Sequence, residues 1–348
     1  MGVKPSGSAA RVGRLLRFLG GHGETGYSLS ELARAVGIDK STCQAMLLAL
    51  VEQGFVHRDD GHRTYALGPS ALAVAAADGD RARLVRLARA ELESLTADLD
   101  LETFATTTFA GSLLVLARVP RSALFGLSMR VGQTLPLRPP VGAVHLAWAP
   151  PAAVDVWLPA AGPTPASGFL ADVTPETCAD TAPAGEAERA AGAGGVSAGE
   201  VRADAFAAGV VPDPAWAVEP ACRHRRVLDA VRARGYSVTA DDALRWRLRD
   251  VVDQVADAPA DPGPRRERDE LLRTLAEREY EILDPDEAKS WPVGEICAPV
   301  FGRDGRVAVA VGLVAARTLD TAGRAAMVDR LLLASTRLTA LTGGRPPD

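Results

Sequence analysis

The sequence predicts an α/β (α+β) chain: an N-terminal winged helix-turn-helix, then a linker helix, then a larger α/β body. Three observations carry this. Residues 28–68 (SLSELARAVGIDKSTCQAMLLALVEQGFVHRDDGHRTYALG) spell two short helices, a tight turn and a small hairpin in one unbroken run. Residues 80–99 repeat Leu at helical spacing beneath an Arg-rich side. Residues 103–117 (TFATTTFAGSLLVLA) then switch to Thr and β-branched residues around an Ala110-Gly111 turn, the start of a sheet.

Each element follows from local chemistry. Arg11–Leu19 places Leu15, Leu16 and Leu19 on one side of a first helix. Ser30 is the expected cap of a second helix, Glu31–Val36, which Gly37 ends in the left-handed conformation. Ser41 opens a third, whose apolar side falls at Cys43, Met46, Leu47 and Leu50 before Gly54 stops it. Residues 55–58 and 63–67 alternate as a hairpin around Asp59-Asp60-Gly61. In the linker, Leu84, Leu87, Leu92, Leu95 and Leu99 form the stripe, a surface suited to subunit pairing. Further on, the reading gives short helices at 143–149 and 152–158, with Trp157 packed inward, and a helix at 223–234 stopped by Gly235. A strand at 236–239, a helix at 267–279, a hairpin from Ile296–Phe301 to Arg306–Ala315 and a closing helix at 322–341 follow. Two flexible insertions are expected, near 159–220, rich in Ala, Gly and Pro, and near 257–266 (DAPADPGPRR).

Composition bounds the function. With 348 residues and 47% apolar content the chain buries a sizeable core and divides into at least two domains. No apolar run approaches the roughly 20 residues of a membrane helix and no signal peptide is expected, so the chain reads as cytoplasmic with no membrane partner. Residues 1–75 carry eight Lys/Arg against six Asp/Glu, and the rest 31 against 38, so a slightly basic head precedes an acidic body. Cys43, Cys178, Cys222 and Cys297 form no C-x-x-C pair and are expected to be idle thiols. Gly21–Gly26 (GHGETG) satisfies G-x-G-x-x-G but follows an amphipathic helix where a dinucleotide loop follows a strand. The five histidines lack ligand spacing and no nucleophile elbow occurs, so no metal, cofactor or enzymatic activity is expected.

Four blocks in order carry a resemblance: IDKSTCQAMLLALVEQGFV with TYALGPSAL, then MRVGQTLPLRPPVGAVHLAW, RARGYSVTADD and ICAPVFGRDGRVAVAVGLVAA. Together they resemble the IclR family of bacterial transcription regulators. The resemblance implies a DNA-binding domain at 1–75, a linker helix at 76–99 and a GAF-like α/β effector-binding domain at 100–348. The long insertion near 159–220 departs from the compact family pattern.

Candidate site residues follow. In the head, Lys40 and Ser41 begin the helix that a winged helix-turn-helix inserts into the major groove, where backbone N–H groups favour a phosphate. Thr42 and Gln44 offer polar contacts, Gln44 to adenine, while Arg58, His62 and Arg63 on the wing suit phosphates. Ala45, Leu48 and Ala49 stand where relatives carry polar residues, so direct readout is thin. In the body, the resemblance points to Val141, Gly142, Ala143, Tyr236, Asp241, Asp242, Cys297 and Gly312 as effector contacts. The closing strand lacks the hydroxyls that relatives present to organic acids, so a more apolar, aromatic effector is expected. The implied partners are a pseudo-palindromic duplex DNA operator, a small organic effector and further copies of the chain as a homodimer or tetramer. The alternative is a degenerate member that binds a ligand or protein without sequence-specific DNA recognition.

Overall fold

In the computed structural model, which describes residues 6–21, 26–77, 79–121, 130–158, 220–258, 261–278, 280–283 and 290–347, helix α1 (Gly7–Gly21) opens the chain. Its Leu15 and Leu19 pack with Leu32 and Val36 of α2 (Leu29–Val36) and with Cys43, Leu47 and Leu50 of α3 (Lys40–Glu52). The cap of α2 is Ser28, two residues before the expected Ser30. Ser28 has Glu31 three positions on and forms a capping box, in which the Glu31 carboxylate accepts from the Ser28 amide at 2.8 Å. Gly37 closes α2 at φ 68°, a conformation that costs glycine nothing. The wing has three strands where two were expected: β1 (Tyr27–Ser28), β2 (Val56–Asp59) and β3 (Thr64–Leu67), in the order β1-β3-β2.

The linker stripe lies wholly in α5 (Gly79–Leu99), which a separate helix, α4 (Pro69–Ala77), precedes. Helix α5 spends its apolar side inside its own chain, where Ala88, Leu92 and Leu95 are buried against the body. Arg330 and Arg337 of α11 (Thr321–Leu341) reach across to Asp98 and Glu91 of α5 at 2.7 and 3.1 Å. Helix α4 has no buried residue, and its Leu72 and Val74 are exposed.

The body is one antiparallel six-stranded sheet in the order β6-β5-β4-β9-β8-β7. Its strands are β4 (Glu102–Phe109), β5 (Ser112–Val119), β6 (Thr134–Pro136), β7 (Ser237–Ala240), β8 (Ser290–Phe301) and β9 (Val307–Asp320). Side chains alternate between faces with period two. Ala105 of β4, Ile296, Ala298 and Val300 of β8, and Val309, Val311, Leu313 and Ala315 of β9 join α5 and α11 in one dry aliphatic core. Phe104, Thr106, Glu295, Cys297 and Val314 point to the other face, which is covered by α6 (Ala143–Leu146), α9 (Ala243–Asp257) and α10 (Pro262–Ala276). Helix α7 (Pro151–Trp157) buries Trp157 as expected, and its indole donates to the Val141 carbonyl at 2.8 Å.

Two expectations are corrected here. The stretch near 257–266 is not a flexible insertion: α9 ends at Asp257 and α10 begins at Pro262, because Asp261 caps the helix and accepts from the Gly263 amide at 2.8 Å. Its prolines sit in the first turn, where a missing N–H costs nothing. Cys222 is disulfide-bonded rather than idle, while Cys43 and Cys297 are free. The chain forms two units, residues 1–158 with 227–348, and residues 159–226. The expected insertion near 159–220 lies outside the described residues except at the start of α8 (Pro220–Arg234).

Leu92 is fully buried beneath the sheet. Leu92→Ala is expected to lower the stability of the body by about 2–5 kcal/mol, read as a lower urea midpoint at unchanged slope.

Candidate nucleic-acid interface and ligand cavity

Helix α3 presents Lys40, Ser41, Gln44, Ala45, Leu48 and Ala49 to solvent, with Thr42 half-buried at its base. Of the four predicted contacts of this helix, Lys40, Ser41 and Gln44 are therefore exposed and Thr42 is not. The cap differs from expectation: Asp39 opens α3, accepting from the Thr42 amide at 2.8 Å and from the Ser41 hydroxyl at 2.5 Å. Those two hydrogen bonds hold the Asp39 carboxyl well below the usual carboxylate range. A fixed negative charge thus occupies donors that were expected to face a phosphate, and Lys40 is left as the cation of this helix start.

On the wing, Arg58 pairs with Asp60 at 3.1 Å and lies over the Tyr65 ring. His62 bonds Asp59 at 2.8 Å, which raises the pKa of the imidazole. Arg63, at φ 55° in the wing turn, is exposed and has no ion pair among the described residues. Of the three predicted wing cations, Arg63 alone is uncompensated by a neighbouring carboxylate.

The second site is a cavity of about 140 Å³ between the sheet and α6, α9 and α10. Of the predicted effector residues, Val141, Gly142, Ala143, Asp241 and Cys297 line it. Tyr236, Asp242 and Gly312 do not. Tyr236 lies beneath the Arg234 guanidinium, 5.0 Å from its ring centre. Asp242 caps α9, accepting from the Leu244 amide at 2.7 Å, and pairs with Arg278 at 3.1 Å. Gly312 lies under the wall: a Cβ there would stand 2.5 Å from the Phe104 ring and 2.9 Å from the Cys297 sulfur, so its missing side chain makes room for both.

Apolar walls come from Phe104, Leu113, Leu135, Leu248, Val252 and Leu275. Among the polar lining groups, Arg245 pairs with Glu295 at 3.1 Å, both about four-fifths buried. Burial raises the pKa of Asp241, against a hydrogen bond from Trp246 that lowers it. Arg249 stacks over Trp246 at 5.5 Å. Burial, with Glu295 and Glu281 nearby, pushes the Cys297 thiol well above its ordinary pKa, so it stays protonated and a poor nucleophile. His145, on α6, bonds Thr106 Oγ1 through Nε2 at 3.1 Å, while its Nδ1 has no partner among the described residues. Desolvation lowers its pKa to about 4, so the ring is neutral at pH 7.

Sequence reasoning missed α9 and His145. The Asp242 cap followed by Leu248, Val251, Val252 and Val255 at helical spacing is a legible helix signal. A search for metal-ligand spacing among histidines passes over His145, whose role needs only one polar partner.

Helix α9 also reaches the head. Its Val252 carbonyl accepts from Gln133 Nε2 at 3.0 Å, and its Asp257 pairs with Arg130 at 2.5 Å. Gln133 Oε1 accepts in turn from the Arg130 amide at 2.7 Å. The turn at 130–132 lies against the end of α1, where a Cβ on Gly21 would stand 2.9 Å from the Val131 carbonyl oxygen.

A head of this geometry on a six-stranded sheet with a cavity on one face defines a winged helix-turn-helix protein with an α/β body, and the comparisons agree with that fold. Residues 8–60 match the family model of the IclR helix-turn-helix domain. A 65-residue stretch is 38% identical to the glycerol operon regulatory protein of Streptomyces coelicolor, spanning 19% of this chain and a quarter of that relative. In fold, the chain is similar to an IclR transcriptional regulator from Alicyclobacillus acidocaldarius, with TM-score 0.50 and 17% identity over 97% of this chain and all of the other. It is equally similar to a regulator described as ICLR from Silicibacter sp. TM1040, with TM-score 0.50 and 20% identity over 98% of both chains. Residues 8–60 thus match the IclR helix-turn-helix domain, and along its length the chain carries the fold of the solved IclR regulators.

The neutral, buried His145 predicts a pH dependence. Its folded-state pKa, about 4, lies below the ordinary 6.5, so its contribution is complete above pH 6.5 and is lost as pH falls towards 4. The loss amounts to about 3 kcal/mol at full desolvation. Urea titrations between pH 7 and 4.5 are expected to show a shallower acid decline for His145→Phe than for the parent protein.

Proposed function

We propose that the protein is a one-component transcription regulator whose DNA affinity is set by a small molecule in the body cavity. The observation that supports it most is α9, which lines the cavity with Trp246, Arg249 and Val252 and carries at Val252 and Asp257 the contacts to the turn against α1. A ligand that repositions α9 changes the seating of the head, and needs only a different affinity for the two seatings to do so.

In this reading two heads on a homodimer meet a pseudo-palindromic operator. The exposed Leu72 and Val74 of α4, rather than the satisfied stripe of α5, are the surface that pairs copies. Lys40, Ser41, Thr42 and Gln44 face the major groove, and Arg58, His62 and Arg63 the flanking backbone. Arg63 and Lys40 contribute most to phosphate binding because neither is neutralised locally, and Gln44 is the side chain suited to reading adenine. Val141, Gly142, Ala143, Asp241 and Cys297 contact the effector along with Phe104, Thr106 and His145. The protein acts in the cytoplasm and catalyses no reaction. Among the described residues no helix is long and apolar enough to cross a membrane.

Footprinting of the promoter nearest its own coding region, followed by gel shifts across a salt series, tests this. A protected palindrome that outlasts scrambled DNA as salt rises is expected, and equal affinity for both would sink the reading. Arg63→Ala and Lys40→Ala are each expected to reduce the salt slope by about 1, uniformly across sequences. Gln44→Ala should relax preference at one base pair, by about 1–3 kcal/mol.

A further inference from the structure

The cavity's shape and lining narrow the ligand further, given the reading of that cavity as the effector site. We propose that it selects an uncharged single-ring molecule with one hydrogen-bond acceptor, held by the Nδ1–H of His145.

Size comes first. A volume of about 140 Å³ is close to that of apolar cavities, roughly 150 Å³, that take up benzene, so one ring with a short substituent fills it. Phe104, Leu135, Leu248 and Val252 give the ring apolar walls.

Charge comes second. The charged groups lining the cavity, beside the neutral His145 and the protonated Cys297, are two acids, Asp241 and Glu295, and two bases, Arg245 and Arg249. Arg245 is committed to Glu295, Asp241 accepts from Trp246, and Arg249 lies over the same indole. The lining therefore carries no excess cation for a carboxylate and no excess anion for an amine. Desolvating a charged ligand here would go uncompensated.

The polar anchor comes third. His145 is 6% exposed, borders the cavity, and leaves Nδ1 without a partner among the described residues. Its Nε2 meets Thr106 Oγ1, whose hydroxyl has no other partner among the described residues. In the proposed tautomer Thr106 donates to Nε2 and the ring proton sits on Nδ1. The unmatched group is therefore a donor, and its complement on the ligand is a carbonyl or ether oxygen. Thr106 positions this donor by fixing the tautomer, while His145 determines specificity by touching the ligand.

Three probes of similar shape separate the arguments: acetophenone, ethylbenzene and benzoate, measured by calorimetry and thermal shift on the full chain at pH 7.5. Acetophenone is expected to bind about tenfold or more tighter than ethylbenzene, the value of one buried hydrogen bond, and benzoate weakest of the three. In His145→Phe, acetophenone should fall to the affinity of ethylbenzene, which itself stays unchanged. Thr106→Val, which keeps the imidazole but frees its tautomer, should lose part of the same preference, so the inference stays testable if the first variant folds poorly. Benzoate binding tightest, parity of acetophenone with ethylbenzene in the parent protein, or a preference for acetophenone that survives in His145→Phe would each overturn the proposal. Those results leave the effector site standing. No binding of any probe to folded protein would overturn both. Release of the footprinted DNA by acetophenone tests the regulator reading separately.

Discussion

The constraint on which the rest depends is the alternation of side chains along β4, β9 and β8. Because the period is two, Ala105, Val311, Leu313, Ile296 and Ala298 all face α5 and α11, while Phe104, Thr106, Val314, Glu295 and Cys297 face the opposite way. One face is filled to dryness by aliphatic residues, and the other is left with a cavity and polar groups. A slip of β8 by one residue would send Glu295 into the aliphatic core. The long register of β8 against β9, from Ser290–Asp320 to Phe301–Val307, holds that assignment, and Gly312 sits where the two central strands must also accommodate the Phe104 ring.

Charges in the body follow from the same division. Glu281 is fully buried beside β7, where it accepts from Ser237 Oγ at 2.8 Å and the Val238 amide at 2.7 Å and pairs with Arg234. Arg245 and Glu295 form the comparable pair at the cavity edge. Such pairs contribute little net stability, since attraction is offset by desolvation, but each penalises any arrangement that separates its members. The Arg245–Glu295 pair therefore fixes α9 against β8. The Arg130–Asp257 pair, more exposed, fixes the other end of α9 less firmly. A helix clamped at the cavity and loosely held at the head is arranged to transmit a small displacement outward.

How much of this was legible in the sequence varied with the range of the interaction responsible. The three-helix head, the turn at Ala110-Gly111 and the terminal hairpin and helix are set by periodicity, caps and turn residues, and were readable. Local chemistry with two competing caps was misread: Ser28 prevails over Ser30 because only Ser28 has Glu31 in reach, and Asp39 pre-empts Ser41. The loop expected near 257–266 fell to a similar competition, where an Asp-Pro start outweighs a proline-rich composition. The cavity was legible only in part, because Val141–Ala143 and Cys297 stand in recognisable segments whereas Thr106 and His145 meet across 39 positions of chain. Nothing local announces that contact.

The weakness of the head is itself informative about regulation. Its recognition helix is apolar over Ala45, Leu48 and Ala49, its cap holds a carboxylate, and two of its wing cations are compensated. A single head of this kind neutralises few phosphates and binds loosely. In the proposed reading, operator affinity rests on two heads engaging together, the second at the effective concentration set by the dimer's geometry. Affinity of that origin is sensitive to spacing. On that reading, a shift in the seating of α1 that leaves each head intact removes the gain from simultaneous engagement, so an effector holding a modest preference for one position of α9 would command a large change in occupancy. A head with strong individual contacts would have escaped that control.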